Sequence, residues 1–444
     1  MQAYVACLIF AGDRSDNHLS TDALFDSEFG LTFYNTLFTK RRFEVISRAI
    51  RFDDQELRHL NADDKFRCIR GLWEAVIGNC QINYIPGPVV TVDEQLQATK
   101  TRCKFRMYLP DKPAKYGLKV LMVCDSASHY CLNAFPYLGQ DGHPDKPAGI
   151  LYGNYFTMKL LEPLQHIDNR IICTDNWFTS LGLVQALDDK NCGLVGTIKP
   201  KPTFPLEAVK CLNIPIGESV ALYNHVYGVN VVYTRKEADK WVILISTEHH
   251  GFSYVEDKKT EMHMFYNSKK GGVDSFDQLC AASNTARKSN RWPMCSWHGL
   301  INIIINNAFI CYNSDFQGKH QGKDRHKFNK DLAHALAHPY AEWRYYVRGP
   351  ALQGQDYIRI ALQQIFNLRR QQQQDAAAVV PLQVPGVHVP VVVDQPVIEP
   401  VAVFQRPNVE THRQEVHTPA TYDPAYPHFP GNMMKTEKKT EMHV

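Results

Sequence analysis

Four aspartates stand where apolar runs end or where a helix is predicted, and they are the residues best suited to chemistry. Asp93 follows the β-branched run 89–92 and Asp175 follows the run 171–174, so each is predicted at a strand end. Asp274 and Asp277 are three residues apart and would share one helix face. Carboxylates brought together in this way bind hard divalent cations such as Mg²⁺. Two such ions can activate the attacking oxygen and stabilise the leaving oxygen in a phosphodiester displacement.

Aspartate is a common residue, and surface or helix-capping roles are the ordinary alternative for each of these four positions. Basic residues between aromatic ones offer a second type of site, because they can follow a nucleic-acid backbone and stack on bases. One such cluster contains Lys104, Arg106, Lys112, Lys115 and Lys119 among Phe105, Tyr108 and Tyr116. A second cluster contains Arg287, Lys288 and Arg291, shortly after Asp274. A solvated surface is the alternative reading of both clusters.

The bulk composition narrows the class of protein. The chain has 444 residues with 44% hydrophobic composition, enough for a sizeable core and two or three domains. A net charge of +3 neither requires nor excludes nucleic-acid binding. The twelve cysteines contain no C-x₂-C pair, which favours reduced thiols over disulfides or a cysteine zinc site. The apolar run 300–310 carries Asn302, Asn306 and Asn307, so we expect a buried helix and no membrane partner.

The hydrophobic pattern predicts an α/β fold with helices at both ends. Residues 21–80 have an amphipathic helical period. Strands are predicted at 89–92, 119–124, 131–136, 170–173, 193–198, 229–233 and 241–246, and helices at 179–188, 271–283, 296–313 and 327–337. From about residue 371 the chain is rich in Gln, Pro and Val without helical period, which predicts a disordered tail.

Several sequence blocks resemble the piggyBac-type DDE transposase family. The first is Val-Asp-Glu-Gln-Leu at 92–96, around Asp93. Similar blocks lie at 102–108, 112–119, 124–126, 174–180, 266–274 with 277–278, and 287–293. The second and third aspartate blocks surround Asp175 and Asp274. The similarity covers about residues 4–348 and keeps the order of the blocks.

The resemblance implies an RNase H-like catalytic core with a small β-rich insertion, flanked by helical segments. Its boundaries would be a helical dimerisation and DNA-binding segment at 1–86, core at 87–199, insertion at 200–262, core at 263–283, a second helical segment at 284–370 and a disordered tail at 371–444. Asp93, Asp175 and Asp274 would be the catalytic triad that binds two Mg²⁺ ions, with Asp277 as an accessory ligand. Lys104, Arg106, Lys115, Arg287, Lys288, Arg291 and Trp292 would contact DNA, with ordinary packing as the alternative for Trp292.

The implied activity is a transposase reaction on DNA. It would consist of water-mediated nicking, attack by the 3′-hydroxyl to form a hairpin end, and insertion at a TTAA target by a nuclear homodimer. The family's C-terminal cysteine-rich zinc module has no counterpart, since no cysteine follows Cys311. A domesticated DNA-binding or chromatin protein without catalysis is therefore the rival interpretation. A decaying copy is a third, and the hexapeptide of 258–263, repeated at 438–443, agrees with it.

Overall fold

The computed structural model describes residues 1–200, 204, 206–256, 259–315, 324–348 and 363, and the predicted disordered tail at 371–444 lies outside these residues. The helices are α1 (Gln2–Asp13), α2 (Thr21–Leu24), α3 (Thr32–Leu37), α4 (Lys40–Ala49), α5 (Arg70–Ile82), α6 (Tyr152–Leu161), α7 (Leu181–Asp188), α8 (Leu206–Lys210), α9 (Glu261–Lys269), α10 (Gly272–Ala282), α11 (Trp292–Asp315) and α12 (Arg325–Arg348). The strands are β1 (Val89–Ala98), β2 (Arg106–Tyr108), β3 (Tyr116–Asp125), β4 (Cys131–Pro136), β5 (Ile171–Thr174), β6 (Gly193–Ile198), β7 (Ser219–Asn224), β8 (Val229–Arg235), β9 (Trp241–Ser246), β10 (Tyr254–Glu256) and β11 (Lys259–Thr260).

A mixed nine-stranded sheet forms the centre of the described chain. Its order is β2-β3-β1-β5-β6-β9-β8-β7, and β4 also pairs with β3. The pairs β1–β5 and β5–β6 are parallel, whereas the other ladders of this sheet are antiparallel. Helices cover the sheet, so the α/β class and the flanking helices predicted from the sequence are confirmed.

The segment predicted as an insertion, residues 200–262, contributes strands to the main sheet. Strand β9 pairs with β6 antiparallel, with Val195 opposite Ser246, and β8 and β7 follow outward. The inner strands are apolar because both of their faces are covered: Val231, Leu244 and Ile245 are all buried. The proposed domain boundaries themselves stay a prediction.

The helices from the two ends of the described chain pack against each other. Helix α1 lies along α12, and α5 contacts α11. Arg344 of α12 donates to the carbonyl oxygens of Asn35 and Thr36, both at 2.7 Å. These contacts bring together the helical segments predicted at 1–86 and 284–370, as far as the latter is described.

Helix α11 passes a length and hydropathy test for a membrane span over residues 292–314, and most of that stretch is buried inside the protein. Its amides explain why it packs here. Asn307 accepts from the backbone nitrogen of Cys131 and donates to the carbonyl oxygen of the same residue, both at 2.9 Å. Asn302 accepts from Thr285. Paired amides stabilise a helix inside a protein core, so the predicted buried helix is confirmed.

Candidate functional site

Asp93 lies on β1, and Asp175 directly follows β5, the parallel neighbour of β1. The pairing of β1 with β5 runs in register from Val89 opposite Ile171 to Val92 opposite Thr174. Asp93 is the next residue of β1, and Asp175 directly follows the last residue of β5, so the two aspartates lie at neighbouring positions. The prediction that Asp93 ends its strand is wrong, because β1 continues to Ala98 by pairing with β3. From Asp93 onward, β1 no longer pairs with β5 and pairs only with β3.

Helix α10 brings two further carboxylates to the same face of β1. Alternation along the strand places Thr91, Asp93 and Gln95 on one side. The helix begins over Thr91, whose hydroxyl donates to the carbonyl oxygen of Lys269 at 2.7 Å. A β-carbon on Gly272 would lie 2.6 Å from the Thr91 hydroxyl, so only glycine permits this approach.

One turn along α10, Asp277 accepts a hydrogen bond from the side-chain amide of Gln95. Asp274, three residues earlier, lies in the first turn of the helix and is exposed. The predicted shared face of Asp274 and Asp277 is therefore present, and it is turned toward β1.

Lys112 extends from the loop between β2 and β3 into this acidic region. Its ammonium donates to the carbonyl oxygen of Glu94 at 3.0 Å and forms an ion pair with Asp274 at 3.4 Å. Although burial opposes the charge, the carboxylates of Asp93 and Asp274 hold the pKa of Lys112 above its usual value. The ammonium thus offsets part of the repulsion among the acidic groups.

The Lys112 ammonium balances only part of the negative charge of the acidic groups. Burial raises the pKa of Asp93 to about 7, with further contributions from the charges of Glu94 and Asp175. Burial likewise raises the pKa of Asp277 to about 6 and also raises the pKa of Asp175. The backbone amide of Trp177 donates to Asp175 at 2.8 Å and opposes the shift there. A set of half-buried carboxylates that resists ionisation is suited to a cation.

The raised pKa of Asp93 predicts that Asp93→Asn stabilises the metal-free protein. The folded-state pKa of about 7 exceeds the ordinary value of 3.8, so the folded protein binds more protons between these values. Its free energy of unfolding therefore falls as the pH rises through this window, and asparagine removes that loss. We expect the advantage of the variant to grow by roughly 1–3 kcal/mol between pH 5 and pH 8.

Urea denaturation in EDTA at both pH values measures this difference. Asp111→Asn, at an exposed position of the neighbouring loop, is the control and should show no pH-dependent advantage. A constant difference between Asp93→Asn and the unmodified protein at the two pH values would contradict the expectation.

No three His, Cys, Asp or Glu side chains in the described part of the chain lie close enough to hold one metal ion together. The shared metal site of Asp93, Asp175 and Asp274 therefore stays a prediction. The twelve cysteines are free thiols. The donor set at β1, β5 and α10 consists of carboxylate oxygens, which suit Mg²⁺ better than Zn²⁺.

The first predicted DNA-contact cluster forms an exposed basic edge beside the acidic site. Lys104, Arg106 and Lys115 are exposed, and Lys115 takes a left-handed backbone conformation with φ of 54° in the β2–β3 loop. The guanidinium of Arg106 lies over the ring of Tyr116, 5.4 Å from its centroid. Charge and aromatic surface thus occur together at the sheet edge.

The second predicted cluster is less accessible. Arg287 donates to the carbonyl oxygens of Asp16 and Asn17, and Arg291 donates to those of Arg48 and Ile50. Burial lowers the pKa of both arginines. Lys288 is exposed. Trp292 packs against Phe66 and Phe105, with ring centroids 5.5 and 5.0 Å away. The arginines therefore hold the α1–α2 and α4–α5 connections, and Trp292 contributes to packing.

The sequence interpretation did not single out Glu94 and Trp177, and it placed Lys119 only in a basic cluster. The Lys119 ammonium lies 3.5 Å from Glu94 and 4.4 Å from the ring centroid of Trp177. Its charge opposes the raised pKa of Asp175. The lysine side chain is 9% exposed, so this contact lies under the acidic site rather than on the surface. Lys119 lies opposite Leu96 in the β1–β3 ladder, and this strand register cannot be predicted from the local sequence.

Comparison with known proteins defines the class. A family model described as Transposase IS4 matches residues 1–309. The chain belongs to this IS4/piggyBac-type transposase family. Among solved structures it is similar to a piggyBac transposase, determined by cryo-EM as a synaptic complex with hairpin DNA. The two share 34% sequence identity with a TM-score of 0.76, and the match covers 87% of this chain and 77% of that chain.

Proposed function

We propose that this protein is a DNA transposase that cuts and joins strands in a Mg²⁺-dependent reaction, with Asp93, Asp175 and Asp274 as the catalytic triad and Asp277 as an accessory ligand. The observation that supports this proposal is the register of β1 and β5, which ends at Val92 opposite Thr174 immediately before Asp93 and Asp175, together with the packing of α10 against β1. Bound Mg²⁺ would activate an attacking oxygen and stabilise the leaving one. The carboxylate donor set fits that ion.

The chain's own residues would position the DNA. Lys104, Arg106 and Lys115 present positive charge beside the acidic face and would bind backbone phosphates on the way to it. The ion pair of Lys112 with Asp274 would offset part of the negative charge of the acidic face when no metal is bound. The family resemblance extends the proposal to nicking by water, 3′-hydroxyl attack to a hairpin end and insertion at TTAA by a nuclear homodimer.

A domesticated DNA-binding protein without catalysis is the second candidate. One observation favours it: the described side chains do not by themselves form a group that could hold a metal ion, and the Lys112 ammonium already pairs with Asp274. Such a protein would keep the basic edge and bind DNA but would not cut it.

The deciding experiment incubates the purified full chain with end-labelled DNA that carries the ends of its own element, found beside the gene. We expect nicked and hairpin products with Mg²⁺ and none with EDTA. Binding of the same DNA by gel shift, with no product at any Mg²⁺ concentration, would support the second candidate and contradict the first.

A further inference from the structure

Strand β7 forms one edge of the nine-stranded sheet and lacks the features that usually protect such an edge. It pairs with β8 and with no other strand of the described chain. Exposed edges commonly carry lysine or proline, which prevent pairing with another chain. The sequence of β7, Ser-Val-Ala-Leu-Tyr-Asn at 219–224, contains neither a charged residue nor a proline. Leu222 and Tyr223 are 43% and 46% exposed, so the edge is open to an added strand.

The hydrogen bonds of Tyr254 show which backbone groups of β7 point outward. The Tyr254 hydroxyl accepts from the Ser219 amide at 2.9 Å and donates to the Ser219 carbonyl oxygen at 3.3 Å. These two groups of Ser219 therefore point away from β8. Alternate residues of an antiparallel strand share this direction, so the amide and carbonyl groups of Ala221 and Tyr223 also point outward. Within the described residues these groups have no hydrogen-bond partner.

The free part of the edge is short. At Ser219 the Tyr254 hydroxyl already occupies both outward groups, and after Asn224 the chain turns back into β8. Ala221 and Tyr223 therefore supply two free donors and two free acceptors. A longer strand from another protein would meet Tyr254, whereas a second copy of β7 offers a free edge of the same length.

Two copies of β7 match each other when they run antiparallel with Leu222 at the centre. The backbone groups of Ala221 then face those of Tyr223 in the second copy, and the reverse pair forms on the other side of the centre. All four donors and all four acceptors of the two edges are paired in this register. The edge is thus self-complementary, as a symmetric contact between identical chains requires.

The side chains agree with this register. Leu222 lies opposite Leu222 of the second copy, between the two hydrogen-bonded pairs, where cross-strand side chains come closest. Two exposed leucines then cover each other. On the opposite face, each Tyr223 ring lies opposite Ala221, whose small side chain leaves room for it. Because β7 carries no charge, the pairing brings no like charges of the two strands together.

We propose that β7 pairs with β7 of a second copy of this chain, antiparallel about a two-fold axis at Leu222, and joins the two sheets edge to edge. This contact lies outside the helical segments 1–86 and 284–370, to which the family resemblance assigns dimerisation. It goes beyond the proposed function, since it involves neither the acidic face nor DNA. Where the helical segments also form a dimer, β7 links one dimer to the next.

Disulfide cross-linking of the full chain tests the pairing. Leu222→Cys is introduced together with Cys211→Ser, because Cys211 is an exposed native thiol. Diamide takes up the two protons and two electrons of a thiol pair, and the covalently linked chains are measured on a non-reducing gel. Cysteines directly opposite each other at this type of position are close enough for a disulfide.

Val226→Cys in the same background is the matched control. Val226 lies in the turn between β7 and β8 and is 85% exposed, so random collisions favour it over Leu222. In the proposed register the two copies of Val226 lie at opposite ends of the paired strands, beyond the reach of a disulfide. We expect Leu222→Cys to cross-link about tenfold faster than Val226→Cys, because pairing aligns only the former.

Ala221→Pro removes one outward amide while the β7–β8 ladder keeps its hydrogen bonds, since proline is tolerated where the amide of an edge strand faces solvent. Combined with Leu222→Cys, it should lower the rate to that of Val226→Cys. Ala221→Ser keeps the amide and should retain the fast cross-linking.

Equal rates for Leu222→Cys and Val226→Cys would overturn the proposal and leave the edge to a strand of a different protein. This comparison does not depend on how Ala221→Pro folds. Fast cross-linking that persists in Ala221→Pro would also overturn it, because backbone pairing would then not be what aligns the thiols. The assay contains neither DNA nor metal. Failure of the proposed function appears separately, as DNA that stays uncut with Mg²⁺.

Discussion

Asp93→Asn is expected to reduce Mg²⁺-dependent strand cleavage by roughly 10³-fold or more while leaving DNA binding intact or slightly tighter. Asparagine keeps the shape of the side chain and removes the charged oxygen that a divalent cation needs. The loss should be large because Asp93 is central to the acidic face: it directly follows the last β1–β5 pair, next to Asp175, and its charge raises the pKa of Lys112. Removing one negative charge beside bound phosphates should not weaken their binding.

The measurement is single-turnover cleavage of end-labelled DNA by the unmodified protein, Asp93→Asn and Asp274→Ala, with binding followed in parallel. Asp111→Asn makes the same charge change as Asp93→Asn at an exposed position and should cleave normally. Cleavage that survives in Asp93→Asn within tenfold of the unmodified rate would remove this residue from the triad. A matching loss in Asp111→Asn would show that overall charge, not the site, controls the reaction.

The strand pattern of the sequence was sufficient to predict much of the sheet. Strands β4, β6 and β9 have the predicted bounds, because each is a short apolar run between turn residues. The adjacency of Asp93 and Asp175 could also be expected, since carboxyl ends of parallel strands meet at one edge of a sheet. The error at Asp93 has a physical reason: residues 93–97 of β1 are mostly polar and look like a loop in sequence, but the polar side chains of Gln95 and Gln97 line the space between β1, α10 and α11.

Interactions between distant parts of the chain could not be predicted from local pattern. The sequence suggested that Arg287 and Arg291 are free to bind phosphates. In the structure they donate to carbonyl oxygens of residues 16, 17, 48 and 50, which are more than 240 positions away in the chain and could not be identified from the local sequence. The Lys112–Asp274 ion pair depends on the conformation of a loop.

The salt dependence of DNA binding is expected to follow the basic residues that are exposed rather than all those predicted. Lys104, Arg106, Lys115 and Lys288 are exposed, although Arg106 also donates to the carbonyl oxygens of Lys100 and Thr101. Arg287 and Arg291 are half-buried and donate to backbone carbonyls. Each phosphate contact contributes about −0.9 to the slope of log affinity against log salt. Four contacts predict a slope of about −3.6, and six predict about −5.4. Between 50 and 200 mM salt the affinity would then fall about 150-fold or about 2000-fold, respectively.

Fluorescence anisotropy on one duplex at several NaCl concentrations separates these slopes, and a scrambled duplex tests sequence dependence. We expect a slope near −4 and weak discrimination between the duplexes, because phosphate contacts position a protein without reading bases. Lys288→Gln should reduce the slope by about one, and Arg291→Gln, which keeps hydrogen-bond donors, should leave it unchanged. A slope near −5.4 that falls in Arg291→Gln would show that the half-buried arginines turn toward the DNA. Strong preference for one duplex would show that another part of the chain contacts base edges.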